Sequence, residues 1–577
     1  MNQRVNERTR ATSSEQPATS SQRVLIIGLD GAAPELILPW AREGKLPVLG
    51  RLIAGGCVGE MESTMPPISG PAWSSIITGK SPGQTGLYDF LYRKDGSYDF
   101  VAVNTRLRDG RSFWRILGDY GKRVGILNVP MTYPVEPVNG FMVSGWMTPY
   151  RAHDFTYPPA LADELRSELG EYRLYPAATY SEHRRESFLR EMDVVLETRI
   201  RTTLHLMRKF PWDFFITVIY ETDLMEHQLW HYVDPSHPRH NPEEVVRYGN
   251  PLLRYFQKVD EGIGRILEEA GHDVMVIVMS DHGMGPVHNF VFLNNWLRSE
   301  GFLQLKRDPI TRLKTLALRA GLDLVHVHQM ADRLNLAKDA EYKVMYTKDR
   351  LLKMFFLSFN NVDWNRSVAY SYGRGVGPVY LNVRGREPQG IVEPGAEYEQ
   401  VREEIARRAL AYVNPKTGQP MVRQVLCREE VYHGPHVDRA PDLILLPAQD
   451  TDHFYGLSDF GSARLYVPAY RYSAVHRHNA FITIQGPPIQ PGSRLGPARL
   501  EDVAPTVFYA MRLPIPADFE GRPLTEAFRP DYVAAHPIHI ESVPPGDDNG
   551  RDPLNTGYSA AEEAEIESRL RQLGYMG

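Results

Sequence analysis

The sequence predicts an α/β fold, in which a mostly parallel central sheet is sandwiched by helices and carries an inserted helical cap. The first observation is a set of short, apolar, β-branched runs at 23–30, 123–130, 214–220, 273–280, 443–447 and 480–486. The second is that helical stretches separate these runs. Nearly continuous apolar strands that alternate with helices predict a sheet buried on both faces and largely parallel.

Composition narrows the function classes. The chain has 577 residues, of which 42% are hydrophobic and 24% are charged, which is typical of a globular protein. The formal net charge is −6 and no basic stripe is present, which gives no support to nucleic-acid binding. The two cysteines, Cys57 and Cys427, lie far apart and in no CxxC pattern. Neither a disulfide framework nor a thiolate zinc site is indicated.

Five segments are predicted along the chain. They are a disordered leader at 1–22, a first part of the catalytic core at 23–305, an inserted helical cap at 306–365, a second part of the core at 366–530, and a tail with a terminal helix at 531–577. The leader is polar and lacks the apolar centre of a secretory signal. No run reaches the roughly 18 apolar residues of a membrane span, so a cytoplasmic protein is expected. The acid-rich terminal helix is expected to be a solvated face, with a homo-oligomer contact as the alternative.

The stretch PPISGPAWSSIITG, residues 66–79, places a stiff approach before Ser69. Gly70 suits a helix cap and Pro71 suits the first helical position, where its missing N–H costs nothing. The hydroxyl of Ser69 would then lie at a helix N-terminus, where an anion or an alkoxide is stabilised. The alternative is an ordinary helix start with a surface serine.

Acidic and imidazole side chains stand at the ends of several predicted strands. Asp30 closes the first run, Asp223 follows the run at 214–220, and the pair Asp281 and His282 follows the run at 273–280. His476 lies just before the last run. Because functional groups in such sheets collect beyond the carboxyl ends of the strands, we expect these side chains to lie close together.

Spacing adds a sixth candidate ligand. Asp223 and His227 are four residues apart, which places both on one helical face, although such a pair alone is more often a surface contact. Asp281 and His282 are adjacent, and we expect them on a sharp turn permitted by the glycines of SDHGMG. Six ligands, three for each ion, are what two catalytic zinc ions would require.

The motifs GLDG, SGPAWSSIITG, TDLMEH, SDHGMG and HRHNAFITIQGP, in this order, resemble the alkaline phosphatase superfamily. The most similar branch is the type I phosphodiesterase/nucleotide pyrophosphatase family, and the resemblance spans roughly residues 23–528. It implies an alkaline phosphatase-like fold and a serine nucleophile, Ser69. It further implies that one zinc ion is held by Asp30, Asp281, His282 and Ser69, and the other by Asp223, His227 and His476. His478 is close enough to compete with His476.

The sequence departs from the family where relatives place an asparagine that holds a phosphoryl oxygen. Here TGLYDF supplies Asp89 and Phe90 instead. The residue that donates a hydrogen bond to that oxygen is therefore not assigned, and the candidates are Asn104, Arg106 and Arg477.

Trp73 separates this chain from the sulfatases and phosphonate monoester hydrolases. Those enzymes carry an arginine two residues after the proline of their nucleophile motif, and here Trp73 takes that place. Trp73 beside Ser69 is expected to support one ester arm on an apolar surface, which favours diesters over monoesters.

The sequence thus predicts a two-zinc hydrolase of a small phosphoester or nucleotide. A phosphodiesterase or nucleotide pyrophosphatase acting through a phosphoseryl intermediate fits best. A phosphomonoesterase or a phosphoglycerate mutase-like phosphotransferase of the same superfamily is the first alternative, and a non-catalytic phosphoester-binding homologue is the second.

Overall fold

The architecture comes from a computed structural model. It describes residues 22–170, 172–176, 180–323, 325–326, 330, 356–456, 460, 462–542 and 557–572. The predicted leader, apart from Gln22, lies outside the described residues, and so does most of the second half of the predicted cap.

A ten-stranded sheet forms the centre of the molecule. Its strands run, in spatial order, Ser493–Arg494, Cys57–Glu62, Asn479–Gln485, Val274–Met279, Arg23–Leu29, Phe214–Ile219, Val124–Leu127, Gly140–Val143 and Thr156–Tyr157, with Ala498–Arg499 also paired to Cys57–Glu62. The five consecutive strands from Val274–Met279 to Gly140–Val143 are parallel. The predicted fold class is confirmed, because the middle strands are buried along almost their whole length and need cover on both faces.

One strand of this sheet runs against its neighbours. Asn479–Gln485 is antiparallel to Cys57–Glu62 on one side and to Val274–Met279 on the other. Its first residues therefore lie at the edge where the parallel strands end. This reversal brings the segment just before Asn479 to the same edge as the segments that follow Leu29 and Met279.

The run at 443–447 forms a strand, as predicted, but in a different sheet. Leu443–Pro447 belongs to a four-stranded antiparallel sheet, which we call the lateral sheet, in the order Ala369–Ser371, Gly377–Leu381, Leu443–Pro447 and Val422–Cys427. A second four-stranded sheet contains Gly373–Gly375, Asp452–Gly456, Asn289–Phe292 and Tyr466–Pro468. Two-stranded pairs join Gly283–Pro286 to Ala474–Arg477, Leu91–Arg93 to Phe100–Ala102, and Ile515–Pro516 to Ile540–Glu541.

Helices connect and cover these sheets. The described helices are Pro34–Arg42, Pro47–Gly55, Ser69–Thr78, Pro82–Thr85, Phe113–Asp119, Leu161–Leu169, Arg185–Lys209, Glu221–Leu229, Pro242–Tyr248, Pro251–Ala270, Leu293–Ser299, Pro309–Arg319, Ala396–Ala411, Arg428–Val431, Val503–Ala510, Pro530–Ala535 and Ala560–Gln572. Within the part of the chain described, none of them is long and apolar enough to cross a bilayer.

Pro309–Arg319 is the described helix of the predicted cap, and the proposed boundaries of the cap stay predictions. The terminal helix, Ala560–Gln572, is not a wholly solvated face. Ile566 and Leu570 are buried in the main core, and Arg569 places its Cζ atom 3.4 Å from the ring centroid of Tyr175.

A buried carboxylate organises the lateral sheet. Asp442 is fully buried and accepts two hydrogen bonds from the guanidinium of Arg386, at 2.7 and 2.6 Å. The hydroxyl of Tyr398 and the backbone N–H of Leu381 donate to the same carboxylate, each at 2.7 Å. Burial alone would raise the pKa of Asp442, but the arginine and the hydrogen bonds lower it below its usual range.

Replacing Asp442 with alanine removes two hydrogen bonds of Arg386, which keeps only Glu387 as an acidic partner, and leaves the Tyr398 hydroxyl and the Leu381 N–H without their acceptor. We expect Asp442→Ala to destabilise the protein by about 3–5 kcal/mol, seen as a lower denaturant midpoint. The matched control is Asp450→Ala, whose exposed ion pair with Arg423 is worth at most about 1 kcal/mol. Because the pKa of Asp442 is depressed in the folded state, its contribution is present above pH ~4 and is lost as the pH falls further. Equal midpoints for the two variants at pH 7 would contradict this role.

Candidate active site

The side chains that follow the strands meet at one edge of the central sheet. Asp30 follows Arg23–Leu29, and Asp281 and His282 follow the parallel neighbour Val274–Met279. Ligand atoms of these three residues all lie within 4.8 Å of one another. The His282 Nε2 atom is 3.4 Å from Asp281 Oδ2 and 3.7 Å from Asp30 Oδ1. This first group has the composition expected for one metal ion.

A second group adjoins the first. Asp223 and His227 share one face of the helix Glu221–Leu229, with His227 Nε2 lying 3.4 Å from Asp223 Oδ1. His476 completes the group, its Nε2 atom lying 3.2 Å from Asp223 Oδ1 and 3.0 Å from His227 Nε2. His476 lies in the strand Ala474–Arg477, just before the reversed strand Asn479–Gln485, and it is His476 rather than His478 that joins this group. The rings of His282 and His476 stack with centroids 3.8 Å apart, so the two groups form one continuous centre.

Each imidazole is held by a backbone carbonyl. The Nδ1 atoms of His227, His282 and His476 lie 2.7, 3.0 and 2.8 Å from the carbonyl oxygens of Ala474, Gly283 and Pro67. Because a carbonyl only accepts, each Nδ1 carries the hydrogen, and each Nε2 lone pair faces the carboxylates. Imidazoles oriented in this way are the usual ligands of Zn²⁺.

The pKa values of the clustered carboxyls and imidazoles favour a bound cation at this centre. Burial raises the pKa of Asp30 well above its usual range, and repulsion from Asp281 and Asp223 raises it further. Burial likewise raises the pKa of Asp281 to about 8, and its buried Oδ2 atom accepts no hydrogen bond from the described residues. Burial and the neighbouring His282 lower the pKa of His476 to about 3, which keeps the ring neutral. Neutral imidazoles and crowded carboxylates fit a divalent metal, which would take the open Oδ2 lone pair.

Ser69 lies against the first group. Its Oγ atom is 3.1 Å from Asp30 Oδ1 and 3.1 Å from His282 Nε2, and the residue is only 4% exposed. The alternative of a surface serine is therefore wrong. The helix begins at Ser69 itself, with Ile68 as the N-cap, so Gly70 and Pro71 occupy the second and third helical positions. Pro71 still lies in the first turn, where the backbone N–H groups have no partner within the helix.

Trp73 has a different role from the one predicted. It is fully buried, and its indole N–H donates to Asp30 Oδ2 at 2.8 Å. No surface of the ring is available to an ester arm, so Trp73 does not favour diesters in the way predicted. Gly28 makes room for the ring, since a Cβ atom there would lie 2.5 Å from Trp73 Cη2. Trp73 is a positioning residue that fixes the Asp30 carboxylate.

Gly31 is the second glycine of the GLDG motif, and its surroundings show why a glycine is needed there. Its φ angle is +69°, in the left-handed region, and a Cβ atom would lie 2.9 Å from Asp223 Oδ1. Its backbone N–H donates to Asp281 Oδ1 at 3.1 Å. Gly31 thus contacts a carboxylate of each group.

The glycines after His282 do not form the expected turn. Gly283 and Gly285 lie in the short strand Gly283–Pro286, which pairs with Ala474–Arg477. A Cβ atom at Gly283 would lie 2.3 Å from the carbonyl oxygen of Asn479, and one at Gly285 would lie 2.6 Å from Arg477 Nε. These glycines permit close packing rather than a sharp turn.

Arg477 does not act as the predicted phosphoryl-oxygen donor. Its guanidinium donates to the carbonyl oxygens of Pro286 at 2.7 Å, Asp450 at 2.6 Å and His476 at 3.1 Å. Successive side chains of a strand point to opposite faces, so Arg477 points away from the centre that His476 faces. The guanidinium ties three backbone segments together.

Asn104 and Arg106 belong to a turn near the C-terminal segment. Asn104 is fully buried, and its Oδ1 atom accepts the backbone N–H of Arg106 at 3.0 Å. The Arg106 guanidinium lies against Gly557, where a Cβ atom would be 2.2 Å from Nη1. A role for either side chain in binding substrate stays a prediction.

Two hydroxyls near the centre were not predicted. Thr222 Oγ1 donates to the backbone carbonyl of Asp30 at 2.6 Å, and Ser63 Oγ donates to that of Asp281 at 2.7 Å. Thr222 directly precedes Asp223, so its position in the sequence was a usable signal. Ser63 lies in no motif. Phe90, which stands in place of the family's asparagine, packs against Gly70 next to Ser69.

Loading the metal-free protein is expected to release protons. The raised pKa of Asp281 leaves its carboxyl largely protonated at pH 7, and a metal ligand must be ionised. Addition of Zn²⁺ should release about one proton per chain or more, and affinity should rise between pH 6 and 8. Titration calorimetry in buffers of different ionisation enthalpy measures this release.

The proton release should fall in Asp281→Asn. It should persist in the control Asp452→Asn, whose carboxylate accepts from Asn289 at 2.9 Å and belongs to neither ligand group. Zinc uptake without proton release at pH 7 would contradict the charge state assigned to the centre.

Comparison with solved structures gives distant similarity. Phosphonoacetate hydrolase from Sinorhizobium meliloti 1021, in complex with phosphonoformate, is 16% identical, with 85% of this chain and 95% of that chain covered and a TM-score of 0.46. Human ectonucleotide pyrophosphatase/phosphodiesterase 5 is 11% identical, with the same coverages and a TM-score of 0.47. No curated protein sequence matches the chain.

A family model gives the assignment. The model described as type I phosphodiesterase/nucleotide pyrophosphatase matches residues 24–459, which is most of the chain. The match includes Ser69 and five of the six clustered ligands, and His476 lies beyond its end. The chain belongs to the type I phosphodiesterase/nucleotide pyrophosphatase family, a family of phosphoester hydrolases.

Proposed function

We propose that the protein is a two-zinc phosphodiesterase or nucleotide pyrophosphatase that acts through a covalent phosphoseryl intermediate at Ser69. The observation that carries the proposal is the position of Ser69 Oγ, 3.1 Å from both Asp30 Oδ1 and His282 Nε2 at the start of a helix. A hydroxyl held against metal ligands at a helix N-terminus has the surroundings that an attacking oxygen needs.

The presence of two ligand groups is the reason for proposing two metal ions. Asp30, Asp281 and His282 would hold one, with Ser69 as a further ligand, and Asp223, His227 and His476 would hold the other. Bound divalent ions polarise phosphoryl oxygens and lower the pKa of a coordinated hydroxyl. Histidine and aspartate donors together suit zinc.

The residues of the chain account for the remaining steps. Asp30 Oδ1 accepts the hydrogen bond of the Ser69 hydroxyl, and the indole N–H of Trp73 fixes that carboxylate. The Oγ–P bond forms as the bond from phosphorus to the leaving oxygen breaks, and the proton lost by the Ser69 hydroxyl passes to the leaving oxygen. Water then attacks phosphorus, the Oγ–P bond breaks, and Oγ regains a proton. The backbone N–H groups of Ser69 and Gly70 at the start of the helix would stabilise the developing negative charge.

The preference for diesters now rests on the family description alone, because Trp73 is buried. A phosphomonoesterase and a mutase-like phosphotransferase use the same kind of centre, and a substrate panel separates them from a diesterase. The clustering of all six candidate ligands, with His227 within 3.4 Å of Asp223 and 3.0 Å of His476, and the position of Ser69 argue against the non-catalytic homologue.

Ser69→Ala is expected to lower kcat by several orders of magnitude, because nucleophile and metal act as a unit. The fold and most of the metal should be retained, since the carboxylate and imidazole ligands remain. Ser69→Thr should be milder because it keeps a hydroxyl. Steady-state rates on bis(p-nitrophenyl) phosphate, together with mass spectrometry of acid-quenched protein, measure both the rate and the phosphoryl site.

The control is Ser75→Ala, a buried serine of the same helix outside both ligand groups, which should keep near-normal turnover. Near-normal turnover in Ser69→Ala, or a phosphoryl group trapped on Ser74 or Ser75, would overturn the mechanism.

Metal analysis tests the two-ion centre directly. Active, unchelated protein should contain about two zinc ions per chain, and a chelator should abolish activity that added Zn²⁺ restores. Elemental analysis by mass spectrometry provides the count. About one ion or fewer in fully active protein would refute the two-ion arrangement.

A further inference from the structure

Arg374 is a buried cation without an acidic partner. It is 8% exposed, and within the described chain it forms no ion pair and donates no hydrogen bond. Its Cζ atom lies 4.2 Å from the ring centroid of Tyr455, so its contact is with an aromatic face. A buried charge is costly unless it is paired, and a cation–π contact recovers only part of that cost.

The backbone around Arg374 holds the side chain in place. Gly373 and Gly375 flank it with φ angles of +114° and +89°, which favour glycine. The short strand Gly373–Gly375 pairs with Asp452–Gly456, placing Arg374 opposite Tyr455. The guanidinium is therefore anchored to a sheet, whereas an unpaired arginine on a loop would turn to solvent.

The two glycines that flank Arg374 place its strand near the candidate site. A Cβ atom at Gly373 would be 3.0 Å from Asp89 Oδ2, and the next residue, Phe90, packs against Gly70 beside Ser69. A Cβ atom at Gly375 would be 3.8 Å from Cε1 of His453. Burial lowers the pKa of His453 far below its usual range, and the charges of Arg374 and His476 lower it further. His453 is therefore a neutral ring next to the strand that carries Arg374.

Tyr472 lies next to the second ligand group. Its ring centroid lies 5.1 Å from that of His227, and its buried hydroxyl has no hydrogen-bond partner among the described residues. Burial raises the pKa of Tyr472, and Arg374 is one of the charges that act on it in the opposite direction. Tyr472 and Tyr455, the ring that Arg374 contacts, belong to one buried apolar cluster, so the unpartnered hydroxyl and the guanidinium lie in the same region beside His227.

Asp89 is a nearby carboxylate, but it does not neutralise Arg374. Its Oδ1 atom accepts the backbone N–H of Phe90 at 2.6 Å, and the ion pairs of the described residues include none between it and Arg374. Burial raises the pKa of Asp89 to about 7, which the Phe90 N–H and Arg374 only partly offset. Around neutral pH much of this carboxyl is protonated.

We infer that Arg374 and Tyr472 form a subsite for a second anionic group, a phosphate or a carboxylate, carried on one arm of the phosphoester substrate. The inference rests on the proposed function, since it takes the reacting phosphoryl group to lie at Ser69 and the second ligand group. The anion would pair the guanidinium and accept the Tyr472 hydroxyl, two buried donors that have no acceptor in the described chain.

The test compares three p-nitrophenyl phosphodiesters whose second arm is ethyl, 2-carboxyethyl or 2-phosphoethyl. Arg374→Met should lower the ratio of kcat/KM for an anionic arm to kcat/KM for the ethyl arm by about 10- to 100-fold. Arg374→Lys should lie between the wild type and Arg374→Met, because it keeps the charge but not the planar fork. The two anionic arms show whether carboxylate or phosphate is preferred.

A binding measurement separates this inference from the proposed reaction. In zinc-loaded Ser69→Ala protein, adding Arg374→Met should raise the Kd of the preferred anionic ester by a similar factor. This result does not depend on turnover, so it would still be obtained if the esters bound but were not hydrolysed.

The control variant is Arg384→Met, since Arg384 is exposed and pairs with the exposed Glu393. It should leave the kcat/KM ratio and the Kd at wild-type values. A merely structural role for Arg374 would lower the thermal midpoint and reduce kcat/KM equally for all three esters. That outcome, or an unchanged ratio and Kd in Arg374→Met, would overturn the subsite.

Discussion

Repulsion among three buried carboxylates is the constraint on which the rest of the site depends. Asp30, Asp223 and Asp281 are each at most 4% exposed, and their charges act on one another. Three such groups lie together at low cost only if cations or protons neutralise them. Raised pKa values favour protons on Asp30 and Asp281 in the metal-free site, and the proposed divalent ions would replace those protons.

The surroundings of the carboxylates keep this charge in place. Backbone carbonyls orient the three imidazoles, so that they offer lone pairs to a metal and no protons to the carboxylates. The indole N–H of Trp73 donates to Asp30, and the backbone N–H of Gly31 donates to Asp281, so both carboxylates are held in position. The packed space around Gly28 and Gly31 leaves these groups little freedom to relax away from one another, since interiors are close-packed.

The sequence predicts the parts of the site that depend on strand ends and helical spacing. Apolar runs locate the parallel strands, and the residues that follow them must meet at one edge, which places Asp30, Asp281 and His282. Helical spacing joins His227 to Asp223. These inferences need only local periodicity and the rule that parallel strands end together.

The remaining features depend on contacts that local patterns do not encode. In a sequence, an aromatic residue beside a nucleophile is equally compatible with a surface for substrate and with a core side chain. Only the packing shows that Trp73 is buried. Arg477 neighbours a ligand in sequence but points to the opposite face of its strand. Arg374 lies in no ligand motif, and its lack of an ion pair depends on side chains from distant parts of the chain.

The reversed strand Asn479–Gln485 also has a consequence for biosynthesis. His476 is tied to the carbonyl of Pro67 across 409 residues of chain, and to His227 across 249. Contacts between such distant residues form late, because closing a long loop costs conformational entropy before the contact can stabilise the chain. A nascent chain emerging from the ribosome therefore exposes Asp30, Asp223 and Asp281 long before it can supply their last imidazole. The candidate centre is complete only after the chain has been synthesised as far as His476.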